Sequence, residues 1–165
     1  MKRIYLFLGI FTILTLAGHA QTGHNQVSIG PEADIPVGTF GNAYKTGFGG
    51  TIKGLYGVGK TGQVTLTTGY SSFSGKDIYS GQTFGILPIL LGYRANLTGL
   101  YIEPFLGMAR YATKAGTYTF NETRFTYGGG IGFAMKALDL GARLQSHQGA
   151  TLVAIRLAYA FNLAK

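Results

Sequence analysis

The chain has 165 residues, of which 46% are hydrophobic and only 12% charged, about half the ~25% charged share of an ordinary soluble domain. That length allows one domain, and so few charges cannot build a soluble exterior. The formal charge of +8 falls to +6 once Lys2 and Arg3 are set aside with a leader, and the remaining bases are scattered. A nucleic-acid partner is therefore not expected, and the absence of cysteine removes disulfides, thiolate metal sites and thiol nucleophiles.

Residues 1–20, MKRIYLFLGIFTILTLAGHA, run from two cations through an apolar stretch (Ile4 to Ala17) to a small-residue end. This is the order of a secretory signal peptide cleaved after Ala20. An apolar run of ~14 residues is too short for a membrane-spanning helix, which needs ~20. Residues 21–165 are then expected to form the mature domain, outside the cytoplasm.

That domain reads with period two. QVSIGPEADIPVG sets Val27, Ile29, Pro31, Ala33 and Ile35 against Ser28, Gly30, Glu32 and Asp34. The second segment opposes Ile52, Tyr56 and Val58 to Thr51, Lys53 and Leu55, and the third opposes Val64, Leu66 and Tyr70 to Thr65, Thr67 and Gly69. In the fourth, Leu87, Ile89, Leu91 and Tyr93 are assigned outward, with Pro88, Gly92 and Arg94 inward. The fifth separates Leu100, Ile102, Pro104, Leu106 and Met108 from Glu103, Gly107 and Ala109. The sixth separates Ile131, Phe133 and Met135 from Gly128, Gly130, Gly132 and Ala134. The seventh places Leu138, Leu140, Ala142 and Leu144 opposite Asp139, Gly141, Arg143 and Gln145, and the eighth places Val153, Ile155, Leu157, Tyr159 and Phe161 opposite Arg156, Ala158 and Ala160.

Eight such segments in succession predict an all-β fold, an eight-stranded antiparallel up-and-down transmembrane β-barrel. The connections alternate in length. TFGNAYKTG, SGKDIYSGQ and TKAGTYTFNETR are long, while GKTG, NLTG and the Lys136-Ala137 corner are tight. Short periplasmic turns and longer outer loops give that alternation. A soluble exported barrel would need charges on its outer face, and the less apolar face is too sparse for that. Tyr44, Tyr56, Phe84, Tyr93, Phe125, Tyr127, Tyr159 and Phe161 lie near strand ends, where interfacial aromatic girdles are expected.

The inward assignments predict a polar network in the lumen made of Glu32, Asp34, Lys53, Arg94, Glu103, Lys136, Asp139, Arg143 and Arg156. Glu32 is expected between Arg156 and Lys53, with Arg143 and Glu103 extending the network and Arg94, Lys136 and Asp139 forming a lower layer. Buried charges must pair. Eight strands leave room for side chains and no wide pore, so packing is favoured over a small gated porin.

The glycines at 128, 129, 130 and 132 invite comparison with a phosphate loop. A phosphate loop requires a helix next, whereas here the alternation continues. They are better explained as an inward stripe without side chains, leaving room for long arms such as those of Arg143 and Glu103.

IPVGTFGNAYKTGFG, ILPILLGYR, YIEPFLG and YGGGIGF, with a last strand ending in Tyr159 and Phe161, resemble the small outer-membrane β-barrel proteins of Bacteroidota, with the architecture of the OmpA-like and OmpX-like barrels. The resemblance spans residues 26 to 163 and implies outer-membrane localisation. It also implies that RLAYAF (156–161), through Arg156, Tyr159 and Phe161, carries the signal for the outer-membrane insertion machinery.

The expected role is structural or in surface interaction, without cofactor, metal or catalytic residues. Expected partners are outer-membrane lipid and lipopolysaccharide, together with a surface ligand met through loops 37–47, 74–83 and 112–124. The alternative is a barrel enzyme acting on outer-leaflet lipid through Ser146 and His147. Neighbouring strand residues point to opposite faces, and no acid stands near to orient the histidine.

Overall fold

The computed structural model describes residues 25–59, 61–147 and 150–163; the expected leader lies outside them. Eight strands follow one another: β1 (Gln26–Val37), β2 (Gly47–Val58), β3 (Gly62–Ser74), β4 (Gln82–Leu97), β5 (Leu100–Ala115), β6 (Tyr118–Met135), β7 (Leu138–His147) and β8 (Ala150–Asn162). A five-residue helix, α1 (Thr39–Ala43), lies between β1 and β2. Each strand pairs antiparallel with its neighbour, and β8 closes on β1 from Gln26↔Asn162 to Val37↔Thr151. Closure leaves no sheet edge within the barrel wall, which is what a sheet crossing hydrocarbon requires.

Alternation is what turns this sheet inside out. Leu66 is 56% exposed while its neighbour Thr65 is 1% exposed, and Leu140 is 51% exposed beside Asp139 at 2%. Ile52, Ile89, Leu106, Ile131 and Leu157 continue the exposed apolar band around the wall. An apolar outside and a charged inside match a membrane barrel and oppose a soluble one.

The two ends differ. The terminal end carries Gln26, Asn162 and the tight connections between β2 and β3, β4 and β5, and β6 and β7. At Thr98-Gly99 both turn residues have positive φ, 48° and 94°, which suits the right-handed twist of a two-residue hairpin. At the opposite, loop end, the 38–46 connection holds α1, and the 75–81 connection holds a 3-10 turn at Asp77–Tyr79.

The third connection differs from the expected loop 112–124. β5 and β6 pair as far as Ala115↔Tyr118, with only residues 116–117 between them. Thr, Tyr and Phe at 117–126 are strand-forming residues, and Gly116 at φ 61° supplies the reversal. β6 meets β7 only up to Tyr127↔Ser146, so this hairpin stands above the rim.

Candidate functional site

Four of the chain's six acids, Glu32, Asp34, Glu103 and Asp139, point into the lumen with Lys53, Arg94, Arg143 and Arg156. Four positive and four negative groups leave the interior formally neutral. Lys53 Nζ donates to both Glu103 oxygens at 2.8 and 2.9 Å. Glu103 also accepts from Thr65 Oγ1 at 3.0 Å and Arg94 Nε at 3.0 Å. Arg94 Nη2 donates to Asp139 at 2.9 Å, and Tyr101 OH donates to the other Asp139 oxygen at 2.7 Å. The Arg94 guanidinium lies 3.6 Å above the Tyr101 ring centroid, a cation–π contact that fixes both groups.

The pairing differs from the expected bracket. Glu32 accepts from Arg143 Nη2 at 2.8 Å, while Lys53 is taken by Glu103. Arg156 lies 3.7 Å from Asp139 and donates to Thr51 Oγ1 at 2.6 Å and Ser28 Oγ at 2.9 Å. Register explains this only in part. Arg156 is opposite Glu32 on the neighbouring strand, but its long arm turns toward Asp139, and Arg143 reaches past β8 to Glu32 instead. Lys136 is a correction: it sits exposed in the β6–β7 turn at φ 46°, outside the lumen.

Of the residues assigned to an insertion signal, Arg156 is buried in the lumen. Tyr159 and Phe161 lie on the outer wall at the terminal end, with ring centroids 4.7 Å apart. The glycine stripe faces inward as expected, with a different tenant. Register sets Tyr101 opposite Gly132, Glu103 opposite Gly130 and Phe105 opposite Gly128. A Cβ on Gly132 would strike the Tyr101 ring, and one on Gly128 would meet Phe105. Aromatic rings, more than charged arms, fill the space the glycines leave. Between Glu32, Lys53, Glu103 and Arg143 lies a void of about 30 Å³, room for one or two waters.

At the loop end the lumen is capped by aromatic side chains, which the sequence reading did not assign there. Phe40 of α1 is buried and packs at 5.2 to 5.5 Å between centroids on Tyr44, Phe73 and Phe84. Phe84 stacks on Tyr111, and Tyr111 on His147 at 4.1 Å. Tyr44 and Phe84, read as girdle residues, therefore belong to this lid. Their position near strand ends was visible, but the inward turn of α1 was not. Lys76 ties the lid down, with Nζ donating to Gly41 O at 2.7 Å and its backbone N–H donating to Ala43 O at 2.8 Å. Ser146 Oγ meets Thr151 Oγ1 at 2.7 Å on the outer face, while His147 stacks inward.

Above the lid, Tyr118 and Phe120 of the hairpin are 81% and 68% exposed. Glu122 and Arg124 form an ion pair of 2.7 Å, and the hydrogen bond from Arg124 holds the Glu122 carboxyl below its usual range. A groove runs between Glu122–Phe125 on one side and Gly38, Thr39, Ser146, His147 and Thr151 on the other. The loop end also carries Lys45, Lys76, Arg110 and Lys114 against Asp77.

No family model matches this chain, and no curated protein matches it. Solved structures do. The Ail attachment invasion locus protein of Yersinia pestis aligns at 15% identity with a TM-score of 0.60, over 86% of this chain and 100% of that one. Neisserial surface protein A aligns at 13% identity and 0.62, over 84% and 97%. The N-terminal β-barrel domain of Pseudomonas aeruginosa OprF aligns at 15% identity and 0.56, over 85% and 100%. These likenesses establish the fold: this chain is built as a small eight-stranded barrel of the outer-membrane kind.

Proposed function

We propose that this chain is exported by cleavage of residues 1–20 and works in the outer membrane as a closed, non-conducting, non-enzymatic barrel that holds an interaction surface outside the cell. This keeps it with the small Bacteroidota barrels it resembles. On this reading the terminal end faces the periplasm, and Tyr159 and Phe161, with Arg156, serve the insertion machinery. The loop end meets lipopolysaccharide phosphates through its cations and a surface partner through the hairpin. One observation carries the reading: exposed aromatics on a hairpin that stands above a mouth shut by Phe40. An exposed aromatic on a projecting loop is the kind of group that anchors a partner. Gating is disfavoured by the nearly filled lumen, and a Ser146–His147 dyad by the opposite facing of the two side chains.

Planar-bilayer recordings test the closed state. Wild type and Glu32→Ala are expected to show the same near-zero conductance, and stepwise openings in either overturn it. A Thr123→Cys chain tests the orientation. A membrane-impermeant maleimide should label it on intact cells, and protection there would refute outward display of the hairpin.

A further inference from the structure

The hairpin ends in a sheet edge. On the side away from β5, the segment 118–126 of β6 has no ladder strand among the described residues, because the β6–β7 ladder stops at Tyr127. An exposed edge is a template for another strand, so the question is what its side chains select. On one face of β6 they run Tyr118, Phe120, Glu122, Arg124 and Thr126.

Two copies of one edge can pair antiparallel about a two-fold axis, which places residues of like face directly opposite each other. Centring the pair on Glu122 sets carboxylate against carboxylate, and centring it on Arg124 sets guanidinium against guanidinium. Like charges directly opposite oppose pairing. Centring on Asn121 faces Glu122 with Phe120. Centring on Thr123 places Glu122 opposite Arg124 of the other copy, and Arg124 opposite its Glu122. The pair that each strand now closes on itself is then exchanged for two between copies. This register spans 120–126, beyond the end of the β6–β7 ladder, and β7 reaches it only at Thr126, whose Oγ1 donates to the Ser146 carbonyl.

Membrane geometry decides where such a pair forms. Copies in one membrane all run β6 from the loop end toward the terminal end, so side by side their edges are parallel. Edges run antiparallel when two loop ends face each other across a gap, with the two-fold axis parallel to both membranes. We infer that the β6 edge is a homophilic contact between apposed membranes, formed by antiparallel pairing of residues 120–126 centred on Thr123 and selected by reciprocal Glu122–Arg124 ion pairs. This rests on the outward display of the hairpin proposed above.

The full chain refolded into lipid vesicles is the test, with clustering followed by light scattering and folding checked by heat-dependent gel mobility. Glu122→Arg alone and Arg124→Glu alone should each slow clustering at least ten-fold. Mixing the two vesicle populations should restore it, since an all-cationic edge then meets an all-anionic one. A chain carrying both changes should also recover. Because the chain has no native cysteine, Thr123→Cys should yield an oxidised dimer between vesicles, Asn121→Cys should not, and Asn121→Cys mixed with Phe125→Cys should. Clustering unaffected by the single charge reversals, no recovery on mixing, or equal cross-linking at 121 and 123 overturns the inference. If Thr123→Cys is labelled on cells yet these assays fail, only the homophilic contact is refuted; if it is protected on cells, the outward display fails too.

Discussion

Replacing Glu103 with alanine is expected to lower the unfolding free energy of the barrel by about 3–5 kcal/mol. Glu103 is the acceptor for Lys53, Thr65 and Arg94 at once. Arg94 keeps Asp139 when Glu103 is lost, but Lys53, 7% exposed in the lumen wall, loses its carboxylate. The cost is therefore mainly that of a buried ammonium left without its counter-charge. Urea unfolding in lipid vesicles, read by gel mobility without boiling, measures it. Glu103→Gln should fall between, since the amide oxygen still accepts a hydrogen bond but carries no charge. Lys53→Met combined with Glu103→Leu should be less damaging than Glu103→Ala alone, because removing both members leaves no orphaned charge. A loss below about 1 kcal/mol for Glu103→Ala would mean that water reaches Lys53 freely, which contradicts the packed lumen.

Gly132→Val should cost about 3 kcal/mol, at the upper end of overpacking penalties. Its Cβ would fall on the Tyr101 ring and against the Leu140 carbonyl. Tyr101 cannot swing aside cheaply, since its hydroxyl is bonded to Asp139 and its face is covered by Arg94. Gly129 lies one position before Gly130 in the same strand but faces outward with nothing within 4 Å of its Cβ position. Gly129→Val should therefore change stability by no more than about 0.5 kcal/mol. Adding Tyr101→Leu should make Gly132→Val less costly than the two changes summed, because neighbouring side chains that compete for one space are not additive. Full additivity in the same urea assay would show that the glycine stripe does not accommodate the ring.

The architecture was legible because a barrel in lipid obeys a local rule. Each strand must alternate apolar and small or polar residues, and alternation is written in consecutive positions such as Leu138 to Gln145. The same parity placed Glu32, Asp34, Lys53, Arg94, Glu103, Asp139, Arg143 and Arg156 inside. Lys136 escaped it because a turn residue at positive φ has no face. A signal for Tyr101 and Phe105 was also present, since both share parity with Glu103 and oppose glycines once the β5–β6 register is known. That register required the length of the hairpin turn, and the mixed polar and aromatic run from 113 to 124 concealed how far both strands continue.

By itself, the sequence determined which side chains face lipid and which face the lumen, since period two is a property of neighbours along the chain. Tertiary structure alone decided which charges meet, because the long arm of Arg143 reaches past β8 to Glu32 on β1, while Arg156 turns away from the Glu32 opposite it toward Asp139 on β7. It also decided that α1 turns Phe40 inward to close the mouth. Phe73, Phe84 and Tyr111 come from the neighbouring strands β3, β4 and β5, with Phe73 directly opposite Phe84, and closure depends on the 38–46 connection folding back so that Phe40 lands on them.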